Sequence, residues 1–97
     1  MASYVTLYTF TDQGIKDYAN TVQRAEAATA AVAKMGGTLR SIHWTIGPYD
    51  LVSLADFPDD EAATAFTLRL GSAGNVRTTT MRAYDSTEMT KIIAKAK

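Results

Sequence analysis

Cysteine is absent, histidine and tryptophan occur once each, proline twice, and ten basic residues cancel ten acidic ones. Each shortage excludes something. Without cysteine there are no disulfides, thiolate zinc sites or cysteine nucleophiles, which fits a reducing compartment. A metal at the single histidine, His43, would need Asp50, Asp12 or Asp56 to gather around it by accident of folding, so no metal site is expected. Zero net charge gives no field for collecting phosphate backbones or anionic lipid, so neither nucleic acid nor a membrane is an expected partner. No run is long and apolar enough to span a bilayer, and the opening MASYVTLY lacks a basic region followed by an apolar stretch. The cytoplasm is therefore the expected location.

What is present suits one globular domain over residues 1–97, with 46% hydrophobic and 21% charged residues and no linker or low-complexity segment. YVTLYTF, residues 4–10, is β-branched and aromatic and reads as a strand. At TDQG, Thr11 or Asp12 can cap a long helix. Ile15, Tyr18, Val22, Ala25, Thr29 and Val32 line one narrow face of it, and Gly36-Gly37 stops it. TLRSIHWTI and YDLVSLADF are two strands joined at Gly47-Pro48, an order that suits a type II′ hairpin turn. PDDEAATAFTLRLG is a second helix with Pro58 and Asp59 at its start, Ala62, Phe66 and Leu70 buried, and Gly71 as its stop. NVRTTTMRAY is the last strand, and Ser86 caps a C-terminal helix with Met89, Ile92, Ile93 and Ala96 on one side. The sum is an α+β, ferredoxin-like βαββαβ chain with a C-terminal helix. Right-handed crossovers put both long helices on one face of an antiparallel sheet.

Parity along the hairpin then sorts the side chains. A two-residue loop sets Trp44 opposite Leu51 and His43 opposite Val52; a four-residue loop in the same register keeps these pairs, whereas an odd loop scrambles them. One face carries Ser41, His43, Thr45, Asp50, Val52 and Leu54, the other Ile42, Trp44, Ile46, Tyr49, Leu51 and Ser53. Both contain apolar residues, yet the helices can cover only one. We expect the His43 set on the helix side. Ile42, Trp44, Ile46 and Leu51 are then left as the interface of a homodimer or higher homo-oligomer.

His43 and Asp50 are the candidate catalytic pair, because a carboxylate diagonal to an imidazole can orient or charge it for proton transfer; the structural alternative is a strand histidine and a turn-capping aspartate. Tyr8 and Tyr49 are candidate ligand-binding hydroxyls, able to donate to a carbonyl or enolate, and equally able to cap the end of a core. Arg77 could hold a carboxylate, although strand arginines are usually paired surface residues. The GSAGNVRTTT stretch is no phosphate loop, since no Lys-Ser/Thr follows the glycines and a strand rather than a helix comes next. No nucleophile elbow or dinucleotide fingerprint is present, so no cofactor is expected.

YTFTDQGIK, HWTIGPYDLVSLADFPDDEAA and LGSAGNVRTTTMRAY together resemble the bacterial GYD-domain family, here with Gly47, Tyr49 and Asp50 at the turn, and the likeness runs from Tyr4 to about Ile93. The resemblance implies a dimeric α/β barrel, a superfamily that includes muconolactone isomerases, cofactor-independent monooxygenases, polyketide cyclases and haem-degrading enzymes with ligands in a cavity beside the sheet. Neither a haem-ligating nor a monooxygenase pattern maps onto these residues, so the likeness carries fold and not chemistry. Two readings follow: a small oligomeric binding or scaffold protein with a pocket beside the sheet, or a cofactor-independent isomerase, cyclase or monooxygenase-like enzyme acting on a small carbonyl compound.

Overall fold

A computed structural model describes residues 1–97. Its elements are β1 (Ala2–Phe10), α1 (Asp12–Lys16), a 3-10 turn (Tyr18–Asn20), α2 (Thr21–Lys34), β2 (Thr38–Trp44), β3 (Leu51–Phe57), α3 (Asp60–Ser72), β4 (Val76–Ala83) and α4 (Ser86–Ala96). The strands form one antiparallel sheet in the order β2-β3-β1-β4, the ferredoxin-like arrangement, with α2 and α3 packed on one face. No helix is long and apolar enough to cross a membrane.

The expected first helix is broken into two. Thr11 is its cap, accepting from the Gly14 amide. After Lys16 the Asp17 carbonyl accepts from the Arg24 guanidinium at 2.8 Å and from the Asn20 amide at 3.1 Å, while Asn20 Nδ2 donates to Asp17 Oδ1 at 2.7 Å. Those bonds draw the backbone out of the α-helical ladder. The break re-phases the buried stripe. Ile15, Tyr18 and Val22 are exposed, while Ala25 and Val32 are buried and Thr21, Ala28 and Met35 are half-buried beside them. Gly14 is required by proximity: a Cβ there would overlap the Asn75 carbonyl oxygen, so only glycine lets α1 lie against the loop before β4.

Asp59 caps α3 through the Ala62 amide at 2.8 Å, as its position at the helix start suggests. At α4 the cap is Asp85 and not Ser86, in a reciprocal box in which Asp85 accepts from the Glu88 amide at 2.8 Å and Glu88 accepts from the Asp85 amide at 3.2 Å. Arg82 ties the base of α4 down by reaching Glu88 and stacking on Tyr84. Beyond that base, α4 packs only sparsely on the body, and none of its residues is buried.

The hairpin keeps the expected register but not the expected turn. Trp44 pairs with Leu51, His43 with Val52, Ile42 with Ser53 and Ser41 with Leu54. Residues 45–50 form a wider connection in place of the two-residue turn, with Thr45 N–H donating to the Asp50 carbonyl at 2.8 Å and Gly47 at φ +140°. The Asp50 amide donates to the Tyr8 carbonyl on β1 at 2.7 Å, so Asp50 is tied to β1 as well as to Thr45.

The face assignment is reversed. Leu51, Ser53, Ala55 and Phe57 are buried under the helices together with Tyr4, Thr6 and Tyr8 of β1, and Ile42 and Trp44 share that side by register. His43, Val52 and Leu54 point the other way, beside Val5 and Leu7 and, on β4, Met81. Alternation tells which residues share a face but not which face the helices take. The polar residues His43 and Thr45 do not mark the helix side, and Trp44, expected as an interface anchor, reaches Thr21 of α2 instead. The helix side mixes aromatic, hydroxyl and small residues with Ile42 and Leu51, and faces the alanines of α2.

The core lies at one end of this helix–sheet layer, where Tyr4 meets Phe57 edge-on at 5.8 Å and Phe57 meets Phe66 at 5.6 Å, closed by Val32, Ala55 and Ala63. Each fully buried aromatic there contributes roughly 1.5–3 kcal/mol. Tyr4 donates its hydroxyl hydrogen to Asp60 on α3. Burial first, and the Asp60 carboxylate second, push its pKa up to about 12 against the opposing pull of Arg82.

Candidate functional site

The other end of the layer is hollow. A cavity of about 300 Å³ opens between α2, α3 and the sheet, at the lower end of the size range of small-ligand pockets. Its origin is a mismatch of volumes. Ala25, Ala28 and Ala31 present methyl groups from α2 where the sheet offers Tyr8, Ile42 and Leu51, and Phe66 and Leu70 of α3 close only one wall. Twelve of its sixteen lining residues are hydrophobic, so a guest meets mainly apolar surface.

Polar groups sit in two places. In the floor, the Tyr8 hydroxyl and Ser53 Oγ share a buried hydrogen bond of 2.7 Å, and burial raises the Tyr8 pKa more than that bond lowers it. Tyr8 is therefore a neutral hydroxyl, able to donate or accept but not to act as a phenolate base near neutrality. Around the mouth stand Arg24, Arg69 and Asn75. Arg24 is held by Asp17, with Nη1 at 3.1 Å from the carboxylate, by the Gly14 carbonyl at 3.3 Å, and by the face of Phe10 at 5.9 Å. Arg69 is exposed on α3 and forms no ion pair.

The expected site residues scatter relative to this cavity. Tyr8 lines it, and so do Ile42 and Leu51, which therefore face the helices and not the open side of the sheet. Trp44 flanks it, donating its indole N–H to Thr21 Oγ1 at 3.0 Å while the residue is 43% exposed. Ile46 is fully exposed at the hairpin tip, and Tyr49 is exposed in the same connection, its carbonyl accepting from Thr45 Oγ1 at 2.6 Å. Arg77 pairs with Thr9 on the edge strand and takes no part in the lining.

His43 and Asp50 are not brought together. His43 stands exposed on β2, on the face away from the helices, whereas Asp50 turns its carboxylate toward β1 and accepts from the Phe10 amide at 2.7 Å. Asp50 thus joins β1, the connection and β3 at one point.

Arg24, Phe10, Phe66, Arg69 and Asn75 escaped the sequence reading as site residues. A signal for part of the set exists: Arg24, Ala28 and Ala31 share one helical stripe, as do Phe66, Arg69 and Ala73. An arginine heading a stripe of small residues marks a helix that cannot fill the space beneath it.

Fold and cavity together define a ferredoxin-like α+β domain with a hollow between its helices and its sheet. The chain belongs to the GYD domain family, which matches residues 4–93. Among solved structures it is similar to TTHA0845 from Thermus thermophilus, with 24% identity, a TM-score of 0.55 and coverage of 89% of this chain and 96% of that one. It is also similar to FFRP-DM1, with 15% identity, a TM-score of 0.63 and coverage of 87% and 100%. The leucine response regulatory protein LrpA of Mycobacterium tuberculosis has 18% identity and a TM-score of 0.57; 88% of this chain covers 51% of that one. These likenesses establish the fold. No curated protein matches the sequence.

Proposed function

We propose that the protein is a homodimeric small-molecule binding protein, with a ligand in the helix–sheet cavity of each subunit and the open sheet faces packed against each other. The cavity is the observation that carries the binding half: about 300 Å³ of mostly apolar space that the chain's own side chains leave unfilled. Binding is favoured over proton-transfer chemistry because the lining contains no histidine and no carboxylate, and its buried hydroxyl, Tyr8, is held neutral. A cysteine-free chain suits the reducing bacterial cytoplasm, where we place it.

The dimer half rests on surface. Val5, Leu7, Val52, Leu54 and Met81 lie on the face that no helix covers. A chain of 10.5 kDa should expose about 5,400 Å² as a compact monomer. This one exposes 6342 Å² and has a radius of gyration of 14.5 Å, against about 12.5 Å for a compact domain of its length. The excess resembles the ~800 Å² that one partner buries in an interface of standard size. A second copy has the same aliphatic face and the same projecting α4, and could cover both.

The test uses the neutral fluorophore N-phenyl-1-naphthylamine. Saturable fluorescence at one probe per subunit is expected, abolished by Ala28→Phe, which fills the cavity, while the melting temperature is kept. A wild-type protein that gives no saturable signal would refute the binding reading.

A further inference from the structure

The cavity divides into an apolar interior and a cationic mouth, and that division specifies a ligand. Inside, no buried side-chain polar atom lacks a partner, because the Tyr8 and Ser53 hydroxyls satisfy each other. The floor therefore holds no orphaned polar atom, and the Tyr8–Ser53 pair leaves a single hydroxyl hydrogen for a guest to meet, so the charged groups that could select a ligand are those at the mouth. At the mouth, Arg24 and Arg69 stand on facing helices with Asn75 beside them, and no aspartate or glutamate lines the cavity. In a chain whose charges cancel overall, this is a local excess of positive charge over apolar space.

The two guanidinium groups differ in readiness. Arg24 is fixed in place by Asp17, the Gly14 carbonyl and the Phe10 ring, so its charge is positioned but partly compensated. Arg69 has no carboxylate partner, and its planar fork is suited to a bidentate carboxylate. We infer that the cavity takes a monocarboxylate with an apolar tail, the tail among Ala28, Ala31, Leu51 and Phe66 and the carboxylate at the mouth on Arg69. This deepens the binding reading above and rests on it.

Trp44 supplies a built-in reporter. It is the only tryptophan, and its indole N–H rests on Thr21, which itself lines the mouth. The experiment titrates octanoate and 1-octanol, equal in chain length and differing in charge, against the wild-type protein. It follows both Trp44 fluorescence and displacement of N-phenyl-1-naphthylamine. Octanoate should bind about tenfold tighter than octanol, as one charge-assisted contact implies. That ratio should shrink as salt screens the pair, and Arg69→Gln should bring it to about one.

Equal affinities for acid and alcohol in the wild type, or a ratio untouched by Arg69→Gln, would overturn the carboxylate assignment while leaving the cavity as a binding site. Failure of the neutral probe to bind would sink both. Because Arg69 is exposed, its replacement should leave the fold intact, which circular dichroism checks.

Discussion

Replacing Asp50 distinguishes a residue that holds the sheet together from one that performs chemistry. Its carboxylate accepts from the Phe10 amide at 2.7 Å, its amide donates to Tyr8 at 2.7 Å and its carbonyl accepts from Thr45 at 2.8 Å. Asp50→Ala removes only the first of these, stranding an amide at the end of β1 that is partly shielded from water. A charge-assisted bond of this kind contributes about 1.5–3 kcal/mol. For a domain of this length that is a fall in melting temperature of very roughly 6–24 °C, at 4–8 °C per kcal/mol. Asp50→Asn keeps an acceptor oxygen and loses only the charge, so it should forfeit about half as much. Urea unfolding at one fixed protomer concentration measures both, which holds any dimer linkage constant. Asp50→Ala within about 0.5 kcal/mol of wild type, the range of an ordinary surface change, would refute the clamp. So would an Asp50→Asn variant as unstable as Asp50→Ala.

Gly14→Ala should destabilise far more than Gly47→Ala. The first drives a methyl group into a backbone oxygen, whereas the second meets open space and opposes only a positive φ, at about 1–3 kcal/mol; thermal melts of the pair give the ordering, and equal losses would contradict the close approach. Leu7→Lys, on the open face, should convert the proposed dimer to monomers in sedimentation velocity, and an unchanged sedimentation coefficient would refute the open face as its interface. The Tyr4 hydroxyl keeps its proton more tightly in the folded chain, at about 12, than in the unfolded one, at 10.0, so the stability it confers is complete below pH 10.0 and is lost as pH rises through about 12. Tyr4→Phe should flatten the stability profile across that window in urea titrations, and an undiminished alkaline decline would remove Tyr4 as its source. His43→Gln should leave probe affinity unchanged, because the imidazole stands on the opposite side of the sheet from the cavity.

The order of elements was readable because it depends on short-range causes: β-branched runs, the Asp59 cap, and the glycine pair after Met35. Hairpin parity was readable for the same reason, and the pairs His43–Val52 and Trp44–Leu51 stand as expected. The break after α1 was not, because it arises when a guanidinium seven residues away takes the Asp17 carbonyl, a competition that neither propensity nor periodicity encodes. The choice of covered face failed because it gave His43, Thr45 and Asp50 a cleft and Trp44 an interface, whereas the indole bonds to Thr21 on α2 and so lies on the helix side. Val5, Leu7, Val52 and Leu54 lie on the opposite face, which the helices of this chain leave uncovered.

The cavity was the least legible feature, because a void is a property of facing surfaces and not of any segment. Ala28 and Ala31 look like close packing until they are set opposite Leu51 and Tyr8, whose hydroxyl is bonded to Ser53 in the floor and not to the helices above. A histidine beside an aspartate attracted attention as chemistry, yet the fold gives the carboxylate to a backbone amide and leaves the imidazole on the far side of the sheet. The groups that do converge on the hollow are two arginines separated by 45 positions in the chain, Arg24 and Arg69. Their meeting depends on α2 and α3 lying side by side on one face of the sheet. On the proposed reading, function begins with how those two helices pair, since that pairing brings two ordinary surface charges to the mouth of the cavity.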